Sequence, residues 1–283
     1  MLTRKRIDFS DNRIDLHIHS NHSDGSLNVE QIFDYAQKAG LKAISITDHD
    51  NISALSEANK LSMQRGIEFV NGVEISARGE NQDMHLLGYL FDHEDEALIE
   101  YVDFFKNERI KRAKKIIKNF NDLGFDLTYE EVLETAGEDA SIGRPHIAYA
   151  LLKKGLASSF QEIFLHYLGD GCACWVPKFK ISPEDAISLI KKAGGLCILA
   201  HPDREIPDEQ IRALVKVGLD GIETIHPKHT QVEVDHFRQL AREENLVESG
   251  GSDCHASPGN GVHIGKMNVP YQFLEKMKQR AGV

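Results

Sequence analysis

The strongest constraint on the fold is an alternation of short apolar runs with amphipathic stretches. The runs RIDLHI, KAISIT and IEFVNGVEIS are rich in Ile, Val and Leu, and stretches with helical spacing, such as NVEQIFDYAQKAG, lie between them. The same alternation returns later in the chain as GGLCILA, DEQIRALVKVG and GIETI. This order is typical of βα units around a mainly parallel sheet, so we expect an α/β fold.

Strand signals disappear between residues 95 and 193, where helical spacing prevails. We therefore divide the chain into a βα domain, residues 1–94 and 194–283, and a helical insert, residues 95–193. Within the insert, residues 106–118 hold seven basic side chains and one acid. Such a run indicates a solvated helix face or, alternatively, a surface that holds a longer nucleic-acid strand.

The net charge of the chain is -11, from 33 Lys plus Arg against 44 Asp plus Glu, which excludes a predominantly basic nucleic-acid-binding protein. We find neither an apolar run long enough to cross a membrane nor a signal-peptide core. Four cysteines in so long a chain do not make a disulfide framework. We therefore expect a cytoplasmic chain that does not associate with membranes.

Histidines and acids cluster where the predicted strands end. Asp15, His17 and His19 are spaced by two residues, which on a strand turns all three side chains to one face. A His-x-His pair alone can be an ordinary surface strand. Further polar groups, however, end the later predicted strands: Thr47-Asp48-His49-Asp50, Glu74, His201-Pro202 and Asp253-Cys254-His255. Since functional groups gather at the carboxyl ends of strands in βα barrels, we expect one rim of metal ligands.

His85 is different because it lies at the start of its apolar run, MHLLGYL. If Gly79 and Glu80 form a two-residue hairpin turn, residue 78 faces residue 81, and counting outward sets Glu74 directly opposite His85. A longer turn would break this register.

Taken together, these residues resemble the PHP (polymerase and histidinol phosphatase) superfamily of metal-dependent phosphoesterases. The resemblance runs from about residue 13 to 268 and rests on Asp15-x-His17-x-His19-Ser20, Ser23-Asp24-Gly25, Thr47-Asp48-His49-Asp50, Glu74, His85, Ala200-His201-Pro202 and Ser252-Asp253-x-His255. The segment from Gly143 to Ala148 and the large insert resemble the branch that contains nucleoside 3′,5′-bisphosphate phosphatases and exonucleases of short RNA. The resemblance implies a distorted seven-stranded βα barrel of PHP type with a helical insert domain.

The resemblance also implies three divalent metal ions and nine ligands. One ion would take His17, His19, Glu74 and Asp253, the second Glu74, His85 and His201, and the third Asp24, His49 and His255. Glu74 would bridge the first two ions. Mixed imidazole and carboxylate ligands suit Mn²⁺, Fe²⁺ or Zn²⁺, and the family precedent favours manganese.

Several neighbouring residues have alternative roles. His22 is the alternative to Asp24 in the third metal site. Asp15 and Asp48 are expected to orient ligand imidazoles, although either could simply cap a loop. His226 and His22 are candidates for the acid that protonates the leaving group, while an ordinary hydrogen-bonded loop histidine is the alternative for His226.

The segment Gly143-Arg144-Pro145-His146 predicts a helix start, where an anion can bind. Arg144 could donate two hydrogen bonds to a phosphate, and His146 could donate another. A lone arginine at a helix start is, however, often only a surface charge. The insert would then be a lid over the metal rim. Trp175 and Phe179 could stack on a base, but packing of the insert against the barrel is their favoured use.

Three divalent ions and three carboxylates would leave the site at about +3, which selects an anionic substrate. We expect hydrolysis of the 3′-phosphate of nucleoside 3′,5′-bisphosphates, such as 3′,5′-phosphoadenosine, to the 5′-monophosphate. A second expected activity is 5′ to 3′ exoribonuclease cleavage of short RNA. The expected partners are a phosphorylated nucleotide or short RNA, without a stable protein partner. The alternatives are a histidinol-phosphate phosphatase and a non-catalytic metal-binding module.

Overall fold

The computed structural model describes residues 12–79, 82–136, 142–203, 206–256 and 261–283. The first part of the chain forms β1 (Arg13–Asp15), α1 (Val29–Lys38), β2 (Ala43–Ile46), α2 (Leu55–Arg65), β3 (Glu68–Arg78) and β4 (Asp83–Tyr89). Helices follow: α3 (Glu96–Asp122), α4 (Tyr129–Ala136), α5 (Arg144–Lys153), α6 (Phe160–Ile163) with a π-helical continuation (Phe164–Leu168), and α7 (Pro183–Lys192). The chain then forms β5 (Leu196–Leu199), α8 (Asp208–Lys216), β6 (Gly221–Ile225), α9 (Gln231–Glu243), β7 (Val247–Gly250), β8 (Val269–Pro270) and α10 (Gln272–Ala281).

The strands form one sheet in the order β7-β6-β5-β4-β3-β2-β1-β8. Neighbouring strands are parallel except β4, which is antiparallel to both β3 and β5, and β8, which is antiparallel to β1. The segments that follow β1 and β7 also meet, because the Leu16 N–H donates to the Gly250 carbonyl at 3.2 Å and the His19 N–H to the Cys254 carbonyl at 3.1 Å. These bonds curl the sheet into a nearly closed barrel.

The predicted α/β barrel is confirmed, with eight strands rather than seven. The additional strand, β8, has two residues and pairs with Arg13 and Ile14. A strand of that length carries no alternation of apolar and polar residues, so its sequence gives no strand signal.

The predicted register of the β3–β4 hairpin is wrong. Ser76, rather than Glu74, lies opposite His85. The connection spans residues 79–82, so it is longer than the assumed two-residue turn. Glu80, one of the two residues of the assumed turn, lies outside the described residues. Because the register differs by two residues, Glu74 and His85 still point to the same face of the sheet.

Two buried apolar clusters show how the insert is built. One draws only on residues 113–176 and includes Ile116, Phe120 and Leu151, so the helices α3 to α6 share a core of their own. The other unites Leu98 in α3 and Ile190 in α7 with strands β3 to β6 and helices α8 and α9. The domain division at residues 95 and 193 stays a prediction. None of the described helices is both long and apolar enough to span a bilayer.

Candidate functional site

The nine predicted ligands converge on one rim of the barrel. His17 and His19 follow β1, His49 follows β2, His201 follows β5, and Asp253 and His255 follow β7, all at the carboxyl ends of parallel strands. Glu74 lies inside the long strand β3. His85 reaches the same rim from the first half of β4, because β4 runs antiparallel to its neighbours.

Glu74 lies at the centre of this rim, and its side chain is buried. Its Oε2 atom lies 3.3, 3.1 and 3.1 Å from ring nitrogens of three histidines, respectively His17, His19 and His49. Its Oε1 atom lies 2.8 Å from His85 Nδ1 and 3.1 Å from His201 Nε2. The two carboxylate oxygens therefore face two different sets of imidazoles, an arrangement suited to a bridging ligand.

A further set surrounds Asp24. One of its oxygens, Oδ1, lies 3.2 Å from His255 Nε2 and 3.8 Å from His19 Nδ1, and its Oδ2 lies 3.8 Å from His49 Nε2. Four side chains thus form one potential metal-binding group: His19, Asp24, His49 and His255. His22 belongs to none of the potential metal-binding groups formed by the described residues, so the geometry favours Asp24 over His22.

The rim couples acids and imidazoles strongly. Burial alone would raise the pKa of the Glu74 carboxyl, but the charges of His49, His85 and His17 outweigh it and hold that pKa well below its ordinary value. For His17, burial would lower the pKa, but the carboxylates of Glu223 and Glu74 raise it well above its ordinary range. The acids therefore stabilise positive charge at His17, whereas burial, helped by the charges of His19 and His85, holds the pKa of His49 well below its ordinary value.

Divalent cations fit the donor set. Both ring nitrogens of His19, Nδ1 of His49 and Oδ1 of Asp24 are buried and make no well-aligned hydrogen bond within the described part of the chain. Such groups are costly to bury unless a partner satisfies them. Imidazole nitrogens and carboxylate oxygens crowded together in this way are typical first-row metal ligands.

The backbone at the rim is strained. His201, Asp253 and Asp50 all have positive φ angles, 25°, 48° and 51°, although none of them is glycine. Residues in this left-handed region persist where the surrounding structure enforces them, which is common at functional sites. Gly251 is required for a different reason, because a Cβ atom there would lie 2.4 Å from the backbone nitrogen of His17.

Sequence reasoning missed Glu223, a fully buried acid in β6. Its Oε1 lies 3.0 Å from His17 Nδ1, and its Oε2 accepts the backbone N–H of His201 at 2.8 Å. Asp15 and Asp48, which were expected to orient imidazoles, instead hold loops. Asp15 accepts the backbone N–H groups of Ser252 and Gly265, each at 2.9 Å, and Asp48 accepts the backbone N–H of Ser20 at 2.8 Å.

The two predicted acid candidates differ in their surroundings. His226 is buried, its Nδ1 accepts the Lys228 N–H at 3.2 Å, and its Nε2 lies 3.2 Å from Asp253 Oδ2. It is therefore a hydrogen-bonded histidine in contact with a predicted ligand. The backbone carbonyl of His22 accepts a hydrogen bond from Asn51 at 2.6 Å, while its ring Nδ1 has no hydrogen-bond partner among the described residues.

A cavity of about 350 Å³ separates the rim from the insert. On the rim side it is lined by Asp24, His49 and His85, and on the insert side by Arg144, Trp175 and other residues. Six basic side chains surround it: Arg78, Arg109, Arg112, Arg144, Lys178 and Lys180. The cavity therefore joins a potential metal centre to a strongly cationic wall.

Most of these cations already have a carboxylate partner. Lys178 and Arg109 lie 3.0 and 3.4 Å from the buried Asp50, and Arg144 lies 2.6 Å from Asp170. Arg112 differs: its Nε donates to the Val176 carbonyl at 2.8 Å, and within the described residues it has no ion pair. Burial, together with the charges of Arg144 and Arg109, lowers the pKa of Arg112 to about 10, so it remains positive at neutral pH.

The predicted substrate residues of the insert have different environments. Arg144 lines the cavity, and its guanidinium also lies 5.8 Å from the centre of the Phe164 ring. His146 is not among the lining residues of the cavity; its Nδ1 accepts the Gly143 N–H at 3.0 Å and so closes the start of α5. Trp175 lines the cavity, whereas Phe179 packs edge-on against Phe104, with ring centres 5.1 Å apart.

Curated relatives cover most of the chain. The 3′,5′-nucleoside bisphosphate phosphatase of Chromobacterium violaceum is 31% identical over 253 residues, 88% of each chain. The phosphoribosyl 1,2-cyclic phosphate 1,2-diphosphodiesterase of Eggerthella lenta is 29% identical and covers 89% of this chain and 97% of its own. The 5′-3′ exoribonuclease of Haemophilus influenzae is 31% identical and covers 90% and 93%, respectively.

The fold and a family model agree with these relatives. A crystal structure from Bifidobacterium adolescentis, assigned as a metal-dependent phosphoesterase, superposes with a TM-score of 0.86 at 28% identity and covers 96% of both chains. The model of the PHP domain matches residues 15–169. The chain therefore belongs to the PHP family.

Proposed function

We propose that this chain is a metal-dependent phosphoesterase that removes the 3′-phosphate from nucleoside 3′,5′-bisphosphates. One observation carries the proposal: Asp24, His49 and His85 line the same cavity as the basic side chains of the insert. A substrate with one phosphate at the rim would present its other phosphate, one ribose away, to Arg112 and Arg144. The Chromobacterium relative carries this activity in its name.

The metal centre is proposed to hold three divalent ions, Mn²⁺ first, with Fe²⁺ or Zn²⁺ as alternatives. The ligands would be those expected from the sequence: His17, His19, Glu74 and Asp253 for one ion, Glu74, His85 and His201 for the second, and Asp24, His49 and His255 for the third. Bound ions would supply positive charge that polarises the scissile phosphoryl group.

The side chains of the chain itself orient the substrate. Arg112 and Arg144 would hold the second phosphate through charge-assisted hydrogen bonds, and Lys178 would add positive charge. Trp175 and Phe164 form an apolar part of the cavity wall, which suits a ribose or a base. His226 and His22 remain the candidate proton donors, and His146 a candidate donor to phosphate.

A second activity, 5′ to 3′ cleavage of short RNA, uses the same geometry. The cationic wall would hold the 5′-terminal phosphate while the adjacent phosphodiester lay at the rim. The Haemophilus relative is named for this activity. We expect the chain to act in the cytoplasm without a stable protein partner.

The test is a comparison of kcat/KM for the metal-loaded chain on 3′,5′-bisphosphoadenosine, adenosine 3′-monophosphate, a 5′-phosphorylated RNA trimer, a cyclic phosphodiester and histidinol phosphate. We expect the bisphosphate to be preferred to the 3′-monophosphate. Preference for histidinol phosphate would overturn the substrate assignment, and no turnover of any of them would favour a non-catalytic module.

Arg144→Ala tests whether the insert binds the phosphate that is not cleaved. We expect kcat/KM for the bisphosphate to fall about tenfold or more, because one charge-assisted hydrogen bond is worth about 1.5–3 kcal/mol. Hydrolysis of the 3′-monophosphate should change little. Equal losses on both substrates would refute the role of the insert as a phosphate-binding lid.

A further inference from the structure

Glu223 is a buried acid for which the proposed function has no role. Its carboxylate lies inside the barrel and is inaccessible to solvent. One oxygen faces His17 Nδ1 at 3.0 Å. The other accepts the His201 backbone N–H at 2.8 Å and also lies 3.3 Å from His17 Nδ1. It thus contacts one predicted ligand of the first ion and one of the second, without belonging to either set.

We propose that Glu223 is a positioning residue that fixes the tautomer and the ring orientation of His17. An ionised carboxylate only accepts hydrogen bonds, so His17 must carry a proton on Nδ1. Metal binding requires a neutral imidazole, so the other nitrogen, Nε2, then gives up its proton and offers its lone pair. That nitrogen faces Glu74 Oε2 at 3.3 Å and Asp253 Oδ1 at 3.5 Å, where a cation would lie. The inference rests on the proposed metal centre.

The two oxygens of Glu223 make it hard to replace. Both of its partners, His17 Nδ1 and the His201 amide, are hydrogen-bond donors. The glutamine in Glu223→Gln offers one acceptor oxygen and one NH₂ group, so the NH₂ would face a donor. With the NH₂ beside His17, the ring either keeps only the longer contact of 3.3 Å or switches its proton to Nε2 and loses the lone pair aimed at the rim. With the NH₂ beside the backbone, the His201 amide loses its acceptor. Both changes weaken the metal centre while leaving the size of the side chain almost unchanged.

Glu248 provides a matched control on the neighbouring strand. It lies in β7, opposite Ile222 of β6, and contacts Thr224 Oγ1 at 3.0 Å and Arg238 Nε at 3.0 Å. Its side chain is also an acid largely shielded from solvent, but it contacts none of the predicted metal ligands among the described residues. Glu248→Gln therefore removes a barrel carboxylate without touching His17.

The experiment is a Mn²⁺ titration of the EDTA-stripped full-length chain, with free Mn²⁺ followed by electron paramagnetic resonance. For Glu223→Gln we expect the affinity to fall about 10- to 100-fold, the usual loss when a partner of a ligand histidine is removed. Glu248→Gln should bind like the wild type. Stripped Glu223→Gln should still unfold cooperatively, although at a lower temperature than the stripped wild type, because a buried donor loses part of its acceptor. Unchanged Mn²⁺ affinity in Glu223→Gln would overturn the proposal.

A double substitution guards against a folding defect. If Glu223 acts through His17, adding Glu223→Gln to His17→Gln should weaken Mn²⁺ binding far less than it does in the wild type. Equal losses in both backgrounds would mean that Glu223 acts independently of His17, and would also overturn the proposal. Failure of the wild type itself to bind Mn²⁺ would instead refute the proposed metal centre, so the two failures are distinguishable.

Discussion

Lys178 is a cation whose charge depends on pH near neutrality. Its Nζ lies 3.0 Å from Asp50 Oδ2. Burial, and next the charge of Arg109, lowers the pKa of the Lys178 ammonium to about 8, although Asp50 opposes the shift. Below that pH the side chain is positive and attracts a phosphate in the cavity. Above it, the attraction is lost.

We therefore expect KM for the bisphosphate to rise as the pH passes upward through about 8. Lys178→Gln should raise KM at pH 7 and flatten this part of the profile. The measurement is the ratio of KM for 3′,5′-bisphosphoadenosine to KM for the 3′-monophosphate, because ionisations at the metal centre affect both substrates. A ratio that rises equally in Lys178→Gln would contradict the assignment.

The residue types that could bind a metal were predictable from the sequence, but the direction in which a buried side chain points was not. His17, His49 and Asp253 end predicted strands, where a metal-competent residue is conspicuous. Glu223 lies inside the apolar run GIETI, and the only signal was that an acid in a buried strand needs a donor. Arg112 has no signal of its own, because a basic residue in a charged helix is usually solvated.

The basic residues of helix α3 differ in their exposure to solvent. Arg109 is buried and Arg112 is half-buried, and both line the cavity. The lysines of the same run are exposed: Lys106, Lys111, Lys114, Lys115 and Lys118. The solvated-face interpretation therefore describes the lysines, while the arginines belong to the cavity wall.

This division can be tested with a matched pair on one helix. Arg112→Met should lower kcat/KM for the bisphosphate about 10- to 100-fold, since it removes the cavity cation that has no ion-pair partner among the described residues. Lys115→Met, which changes an exposed residue one turn away, should have little effect. Equal effects of the two substitutions would indicate that α3 acts only through its overall charge.

Element types followed from periodicity, whereas turn lengths and short strands did not. The βα units and the helical insert carry long repeating patterns that predict them well. The connection between β3 and β4 depends on a local turn choice, and one or two extra residues alter its register without changing the pattern of the strands. Because the register differs by an even number of residues, Glu74 and His85 still lie on one face of the sheet despite the incorrect prediction.

At the scale of the whole molecule, an acidic chain carries a local concentration of positive charge. The net charge is -11, yet six basic side chains surround the cavity between the rim and the insert. The net charge of a chain does not give the local charge of a cleft, so the net charge did not predict the basic residues around this cavity. The barrel supplies the acids and imidazoles of the rim, and the insert supplies most of the cations.

The proposed function requires metal ions at the barrel rim, with Glu74 as the proposed bridging ligand. The most direct measurement is anomalous diffraction at the manganese edge from crystals of Mn²⁺-loaded protein. We predict anomalous peaks on both sides of the Glu74 carboxylate, one beside His17 and Asp253 and one beside His85 and His201, with a third beside Asp24. Crystals grown with saturating Mn²⁺ that show no anomalous peak at this rim would contradict the proposed metal centre.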